Sequence, residues 1–459
     1  MIIRKNILSV SKLAVLGFAA FALGANAKVS PEEAKRLDSE LTPMGAIRAG
    51  NEAGTIPAWN PDFKPPEGYT PGDRYPDPYK DEKPILTLTK ENYREHMDKL
   101  SPGMAAMFKM YPRSFKMHIY PSHRDGGYSD FIIKNTRLNA TRAELINSGN
   151  GIKHAFGGSP FPIPQNGLEV VWNMTVAAGP LYRESTTHDV MVYRNGRQLL
   201  GRNTIVRLTP YFNPELDLES YEEQEMPRLL QINLTHAPTR DKGKSTLVHE
   251  FLDRDESPRA AWSYTPGVRR VRRAPTVSYD TPQGLGKIRT TDSSYGFNGN
   301  VDKYDWTLVG KKEMYIPYNS YKFEQEGVEF KELLPKGHPN PEYMRYELHR
   351  VLVLEANLKK GERNVYKKRQ FFIDEDTWLP VLVDQYDNRG TLWRTSLQNA
   401  INMYDLPGVQ RRTMFYFDLI SREYLASEVY NREKQKPVNE NAKQVSYFKP
   451  GTLRKLGVR

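Results

Sequence analysis

After residue 365 the chain repeats one pattern, a short run of alternating apolar and polar residues followed by a tight turn. Residues 365–373, 379–386 and 391–397 form three such runs, separated by turn residues at 374–377 and 387–390. A period of two is typical of a half-buried β-strand, and tight turns join antiparallel neighbours. The pattern therefore predicts an antiparallel meander.

The same reasoning predicts strands and helices elsewhere. Asn195-Gly196 is a strong hairpin signal between runs at 190–193 and 199–208. Further strands are predicted at 229–234, 246–251, 306–315, 347–356 and 414–420. Helices are predicted after the capping residues Ser30 and Asn166, over 90–100 up to Pro102-Gly103, and over 422–430. The chain is thus predicted to adopt an α+β fold with a large antiparallel sheet, one face of which packs on helices or a ligand.

One predicted hairpin sets aromatic residues opposite arginines. Residues 262–275 read W-S-Y-T-P-G-V-R-R-V-R-R-A-P, and the central Pro-Gly suits a type II turn. A two-residue loop would place Trp262 opposite Val271 and Tyr264 opposite Arg269. A slip of one residue would exchange the faces, so the register stays open. An ordinary half-buried hairpin with solvated arginines is an equally good interpretation.

The first 27 residues have the composition of a cleavable signal peptide. Arg4, Lys5 and Lys12 precede an apolar run at 13–23, and Ala25-Asn26-Ala27 suits a signal peptidase. The run is shorter than the roughly 20 apolar residues that span a bilayer. Because the chain contains no cysteine, it has no site for a lipoprotein anchor. We predict export to a bacterial periplasm, with a retained membrane anchor as the alternative.

Positive charge is concentrated near the C-terminal end. The formal charge is +11, and residues 431–459 carry eight Lys or Arg and two Glu. A nucleic-acid-binding domain would spread its basic residues over the fold, so no nucleic acid is expected as a partner. The basic tail is predicted to contact an acidic partner or an anionic membrane, or to be disordered.

Sequence motifs give little support to catalysis or metal binding. His249-Glu250 begins an H-E-x-x-H zinc pattern, but Asp253 stands where the second histidine should be. Ser159 is followed by proline and lacks the closing glycine of a nucleophile elbow. The acids at 374–376 could supply paired carboxylates for glycoside cleavage, yet a solvated turn is the favoured interpretation. We therefore predict no cofactor, no metal and no enzymatic activity.

Several segments resemble, in order, a proteobacterial family designated domain of unknown function 1329. They are K-V-S-P-E-E-A at 28–34, L-T-P-M-G-A at 41–46, F-P-I-P-Q-N-G-L-E at 161–169, the hairpin at 262–275, D-K-Y-D-W at 302–306 and K-K-E-M-Y-I-P-Y at 311–318. This family is similar to outer membrane lipoprotein-sorting proteins and is assigned to the superfamily of periplasmic lipoprotein carriers of the LolA and LolB type. The resemblance covers nearly the whole chain after residue 27.

The resemblance implies an open half-barrel whose concave apolar face is covered by helices and can hold acyl chains. The chain then divides into a signal peptide at 1–27, a helical and extended wrapping segment at 28–165, a half-barrel domain at 166–430 with an insertion around 274–345, and the basic tail at 431–459. Family members commonly occur beside permeases of the resistance-nodulation-division (RND) class and an outer-membrane barrel protein, which makes these the implied partners. The family supplies no catalytic residues to transfer.

Large aromatic residues are the candidate lining of such a cavity. They are Trp172, Trp262, Tyr264, Trp306, Trp378 and Trp393, and filling the core is the alternative role for each. Arg269 and Arg273 are candidates for contacting an acidic head group. The leading hypothesis is a periplasmic binding or carrier protein for a lipid, lipoprotein or other hydrophobic molecule. A periplasmic hydrolase of lipid or envelope polysaccharide, and a structural accessory of an export complex, are the alternatives.

Overall fold

The computed structural model describes residues 29–274, 279–406 and 408–457. The predicted signal peptide at 1–27 lies outside these residues. No helix within them is long and apolar enough to cross a membrane.

The strands in this part of the chain are β1 Leu86–Leu88, β2 Met117–Tyr120, β3 Glu144–Ile146, β4 Gly151–Lys153, β5 Tyr182–Val192, β6 Gln198–Leu208, β7 Leu229–Ala237, β8 Ser245–Glu250, β9 Ala260–Thr265, β10 Arg270–Arg273, β11 Pro282–Gln283, β12 Arg289–Thr290, β13 Tyr304–Pro317, β14 Tyr346–Leu358, β15 Lys368–Asp374, β16 Pro380–Tyr386, β17 Leu392–Asn402, β18 Val409–Asp418 and β19 Glu423–Val429. The α-helices are α1 Pro31–Ala34, α2 Pro102–Met110, α3 Asp130–Arg142, α4 Gly167–Thr175, α5 Leu218–Glu223, α6 Phe330–Leu333 and α7 Pro450–Gly457. Short 3-10 helices, among them Tyr93–Lys99 and Tyr321–Glu324, complete the helical structure.

Fifteen of these strands form one open, curved sheet. Its main order is β14, β15, β16, β17, β18, β19, β5, β6, β7, β8, β9 and β10, and all of these neighbours are antiparallel. β13 pairs along the other edge of β14, and the short β1–β2 ribbon joins the start of β14 in parallel. The predicted α+β fold with a large antiparallel sheet is confirmed. β13 lies within residues 274–345, the predicted insertion, and supplies an edge strand.

Two meanders meet at one seam in this sheet. β14 to β19 form one meander, β5 to β10 form the other, and each is built of hairpins between strands that are consecutive in the sequence. The seam is the pairing of β19 with β5, where Tyr424 pairs with Val192 and Ala426 with Val190. Strands distant in sequence therefore join the two halves.

Helices cover both faces of the sheet. One face, which we call the lid face, carries Leu354, Phe371 and Val383 and packs against Val170 and Trp172 of α4. The opposite face, which we call the tail face, is covered by α2 over β16 and β17 and by α7 over β8, β9 and β10. Adjacent residues of a strand point to opposite faces, so strands covered on both sides are apolar at consecutive positions.

Helix caps follow the sequence in two places and contradict it in one. Ser30 Oγ accepts from Glu33 N at 3.1 Å, and Asn166 Oδ1 accepts from Glu169 N at 3.0 Å, as predicted. Pro102-Gly103 was predicted to end a helix but begins α2 instead. Ser101 caps α2, and a proline in the first helical position leaves no hydrogen bond unmade.

The helix predicted over 422–430 is wrong, because this segment is β19. Tyr424, Leu425 and Ala426 are all fully buried between β18 and β5. A strand buried on both faces loses the polar alternation that identifies a half-exposed strand.

The aromatic hairpin forms with a different turn from the one predicted. A four-residue loop, 266–269, joins β9 to β10, and Arg269 rather than the glycine has the positive φ, at 54°. Tyr264 therefore pairs with Val271 and Trp262 with Arg273, a shift of two residues that keeps the aromatic side chains on the predicted face.

The acidic turn at 374–377 is buried, so its predicted solvation is wrong. Asp374 is 0 %, Glu375 2 % and Asp376 9 % exposed. Arg124 donates to both oxygens of Asp376 at 2.8 Å, and Arg350 donates to Glu375. These arginines come from distant segments, so the turn motif alone did not reveal them.

Residues after 431 return to the sheet. Phe448 and Leu453 pack with Ile232, Leu247 and Tyr264 in one apolar cluster on the tail face. The aromatic face of the β9–β10 hairpin is therefore covered by the C-terminal segment of the same chain, and the alternative of a disordered tail does not describe residues 431–457.

Removing the Leu453 side chain tests this docking. Leu453 is 0 % exposed, so Leu453→Ala should lower the free energy of unfolding by about 2–5 kcal/mol in urea denaturation. Lys455→Ala, at an exposed position of the same helix, should change it by less than about 0.5 kcal/mol. Equal effects of the two substitutions would contradict the docked tail.

Candidate functional site

A cavity of about 160 Å³ lies on the lid face at the C-terminal end of α4. Residues 174–180, which end α4 and lead into β5, line it together with side chains from β5, β6, β7, β8 and β18 and from residues 295–298. The cavity therefore spans the seam, because β18 belongs to one meander and β5 to β8 belong to the other.

Arginines from three strands line this cavity. Arg183 on β5 pairs with Arg207 on β6, and Arg207 pairs with Gln231 on β7. Directly paired residues project from the same face of a sheet, and like charges placed opposite each other are destabilising. Arg207 Nε donates to Gln231 Oε1 at 2.8 Å, and Arg411 on β18 adds a third guanidinium. The arrangement concentrates positive charge at a cost in stability.

These three guanidinium groups contact neutral partners. The Tyr295 ring lies 5.1 Å from the guanidinium of Arg207 and 4.3 Å from that of Arg411. Arg183 Nη2 donates to the hydroxyl of Tyr430 at 2.6 Å. In the described part of the chain, no carboxylate oxygen lies within 4.0 Å of a nitrogen of Arg183, Arg207 or Arg411.

Glu428 on β19 partly compensates the charge of these arginines. Its side chain accepts a hydrogen bond from Tyr430 at 3.0 Å. Burial acts to raise the pKa of Glu428, but Arg411, Arg207 and Arg183 together lower it below its usual value. Burial also lowers the pKa of Arg411, so its positive charge is held at an energetic cost. Glu428 supplies one negative charge against three guanidinium groups, so this part of the cavity stays positively charged.

A second group of charges lines the opposite side of the cavity. Glu250 contacts Arg228 at 3.5 Å and Arg259 at 3.3 Å. Arg228 Nε is buried without a hydrogen-bond partner, and burial lowers the pKa of Arg228. Five arginines and a single carboxylate, Glu250, therefore line the cavity.

The remaining lining is mostly apolar. Met174, Val176, Tyr211 and Phe297 line the cavity and belong to the apolar cluster that packs under α4. The apolar wall is thus continuous with the lid-face core. The lining contains no histidine and no serine, so a serine–histidine pair is not part of it.

The tryptophans predicted as lining lie elsewhere. Trp172 and Trp378 are fully buried in the lid-face core, where their indoles donate to Gly149 O at 2.9 Å and Met44 O at 3.0 Å. Trp306 packs at the edge of that core. Trp393 lies apart from it, stacked under the guanidinium of Arg394 at 4.1 Å.

The predicted hairpin residues are also separate from the arginine cavity. Trp262 is half-buried and Tyr264 is 2 % exposed, both against the C-terminal segment, while Arg269 and Arg273 are exposed. None of the eight predicted residues lines the arginine cavity. Their role in contacting a ligand stays a prediction.

Arg183, Arg207 and Arg411 were missed, although part of the signal was present. Asn195-Gly196 marks the β5–β6 hairpin, and counting back from that turn places Arg183 opposite Arg207. Two facts depend on the seam: which face of the sheet these arginines occupy, and that Arg411 lies near the other two. The sequence has no local signal for the seam.

A wider groove lies on the tail face, between α2 and β13 to β15. It has a volume of about 700 Å³ and is lined by Met97, Val309, Val353 and Phe372, with lysines at 109, 311 and 312. This groove is open and apolar, and it lacks the converging guanidinium groups of the cavity on the lid face.

Several known proteins are similar to this chain. The chain is 40% identical over 451 residues to the uncharacterized protein PA3922 of Pseudomonas aeruginosa. This alignment covers 97% of this chain and 98% of that protein. A DUF1329 family protein from Desulfovibrio piger aligns with 62% of this chain and 96% of its own at 15% identity and a TM-score of 0.41. The LolA superfamily protein NE2245 from Nitrosomonas europaea aligns with 57% of this chain and 90% of its own at 13% identity and a TM-score of 0.34.

The sequence model of one family, described as protein of unknown function (DUF1329), matches residues 87–454. The chain therefore belongs to the DUF1329 family, as its sequence motifs predicted.

Proposed function

We propose that the protein binds an amphiphile with an acidic head group and that the head group sits among Arg183, Arg207 and Arg411. The observation that carries this proposal is the convergence of three guanidinium groups that have no carboxylate within ion-pair distance. Guanidinium groups bind carboxylates and phosphates through paired, charge-assisted hydrogen bonds. An anion placed here would relieve the repulsion between the paired Arg183 and Arg207.

The apolar wall supports an amphiphile over a small inorganic anion. The cavity of about 160 Å³ is smaller than the roughly 300–1,000 Å³ of typical ligand sites, so it accommodates a head group and little more. An acyl chain would have to enter the apolar cluster under α4, of which the cavity wall is part. Each buried methylene contributes about 0.8 kcal/mol, which would offset part of the cost of separating α4 from this cluster.

Displacement of α4 and of residues 176–180 would open that path. α4 caps the lid face with Val170, Val171 and Trp172, and Gln410 Nε2 fixes the following loop by donating to Ala178 O at 3.0 Å. In the open form Trp172 and Trp306 would lie against the acyl chain, which is the role predicted for them from the sequence.

A carrier in the periplasm is the cellular role that we propose for this binding. The predicted signal peptide and the apolar cluster beneath a movable helix support it, and the lining of the cavity favours binding over hydrolysis. Transfer of the ligand to or from an RND permease, an outer-membrane barrel protein or a membrane surface is the proposed route, and it rests on the family resemblance alone.

Loss of a cavity arginine should weaken binding of an acidic amphiphile. We expect Arg207→Gln and Arg411→Gln each to weaken binding of dodecyl phosphate about 10- to 100-fold, because a hydrogen bond to a charged group contributes about 1.5–3 kcal/mol. Isothermal titration calorimetry of the full chain measures this effect, and dodecanol serves as the uncharged ligand. Arg389→Gln, on the exposed turn between β16 and β17, is the matched control and should bind like wild type. If the cavity variants and the control bind dodecyl phosphate equally, the head-group site is wrong.

Removal of the competing carboxylate should have the opposite effect. Glu428 faces the same three arginines, so Glu428→Gln should strengthen dodecyl phosphate binding about threefold to tenfold through the lost repulsion. Dodecanol binding should stay unchanged, and Glu440→Gln, at an exposed position, is the control. Weaker phosphate binding by a folded Glu428→Gln variant would refute the electrostatic role of this site.

A further inference from the structure

Two buried polar atoms at the turn between β15 and β16, one from the turn and one from β14, have no hydrogen-bond partner. Asp374 Oδ2 accepts from Thr377 Oγ1 at 2.6 Å, but Asp374 Oδ1 has no hydrogen-bond partner. His349 on β14 directs Nε2 to Glu347 Oε2 at 3.1 Å, while its Nδ1 has none. Asp374 and His349 are 0 % and 1 % exposed, and unsatisfied buried polar atoms carry a large desolvation penalty.

These groups converge with a second carboxylate. One ligand atom each from His349, Asp374 and Asp376 lie within 4.8 Å of one another. The ring of Tyr318 covers the imidazole of His349 at a centroid distance of 4.0 Å. A cavity of about 10 Å³ adjoins Asp376 and is lined by Tyr128, Tyr318 and Thr377, which is about the space of one water molecule.

The ion pairs of the turn leave one acid without a cation. Arg124 contacts Glu375 and Asp376, and Arg350 and Lys311 contact Glu375. In the described part of the chain, no lysine or arginine nitrogen lies within 4.0 Å of an Asp374 oxygen. Asp374 is therefore the acid of this turn whose charge is not balanced by an ion pair.

We propose that His349, Asp374 and Asp376 bind a divalent first-row cation. One imidazole and two carboxylates are a ligand set that suits Zn²⁺ or Mn²⁺. The cation would take the free Nδ1 of His349 and the free Oδ1 of Asp374. Asp376 keeps its bidentate contact with Arg124, since each carboxylate oxygen has a second lone pair. The positive charge of the cation would compensate the carboxylate of Asp374, which has no ion-pair partner.

Such an ion would join three parts of the chain. His349 belongs to β14 and both carboxylates to the β15–β16 turn, while Arg124 links Asp376 to the N-terminal segment by donating to Ile47 O at 2.7 Å. The site would be structural in this arrangement, because its ligands are buried and the cation would coordinate two atoms that have no hydrogen-bond partner. It does not depend on the proposed amphiphile site.

Zinc content of the purified full chain tests this site. The protein is produced with added Zn²⁺, purified without chelator and assayed by inductively coupled plasma mass spectrometry. We expect about one zinc per wild-type chain, and less than about 0.1 in Asp374→Asn and His349→Gln, since loss of one ligand from a three-ligand site removes most of the affinity. Asp384→Asn is the matched control: Asp384 is a fully buried carboxylate on β16 that accepts from Thr395 and Gly103, and this variant should keep its zinc.

Thermal unfolding supplies a readout that needs no variant. EDTA should lower the Tm of the zinc-loaded wild type by about 3 °C or more, and the Tm of Asp374→Asn should not respond. A wild-type chain without zinc, with a Tm indifferent to Zn²⁺ and EDTA, would overturn the proposal. So would equal zinc content in wild type and Asp374→Asn, which would place the ion elsewhere.

Discussion

Coverage of both faces of one sheet is the constraint on which the rest of this structure depends. A charged side chain projecting from either face is removed from water, so it needs a partner within the protein. Most have one: Arg412 pairs with Glu324 at 2.6 Å, and Arg369 pairs with Asp292. The arginines of the lid-face cavity and Asp374 of the buried turn depart from this rule. Both proposed binding sites arise from these uncompensated charges, one for an anion and one for a cation.

The arginine cavity and the acidic turn differ in how they lie relative to the helices that cover the sheet. The arginine cavity lies beneath the end of α4, a nine-residue helix held by apolar contacts and by hydrogen bonds from Trp172 to Gly149 O and between Asn173 and Phe161. The acidic turn is fixed by Arg124 and Arg350, which also bind backbone carbonyls of the N-terminal segment. In our proposal a local movement of α4 would exchange the ligand of the first site, whereas the second site would stay fixed within the fold.

Local sequence patterns predicted many elements of the fold but did not reveal the arginine cavity. The Asn195-Gly196 turn, the meander after residue 365 and the caps at Ser30 and Asn166 are encoded by neighbouring residues, and they appear as predicted. β19 was misread because it is buried on both sides, and the turn at 374–377 because its partners are remote. The tryptophans were chosen for their size, and two of them fill the core. The sequence does not indicate that Arg411 lies near Arg207, because only the pairing of β19 with β5 brings these two residues together.

The seam between the two meanders has a consequence for the order in which the protein folds. Hairpins within each meander close short loops, and the β19–β5 pairing closes a very long one, so the seam should form after the hairpins. Arg183 and Arg207 stand on one side of that boundary and Arg411 on the other. The cavity does not exist in either half alone. In this order of folding it would be assembled in the last step of sheet formation, and the proposed affinity for an anion would be a property of the completed chain.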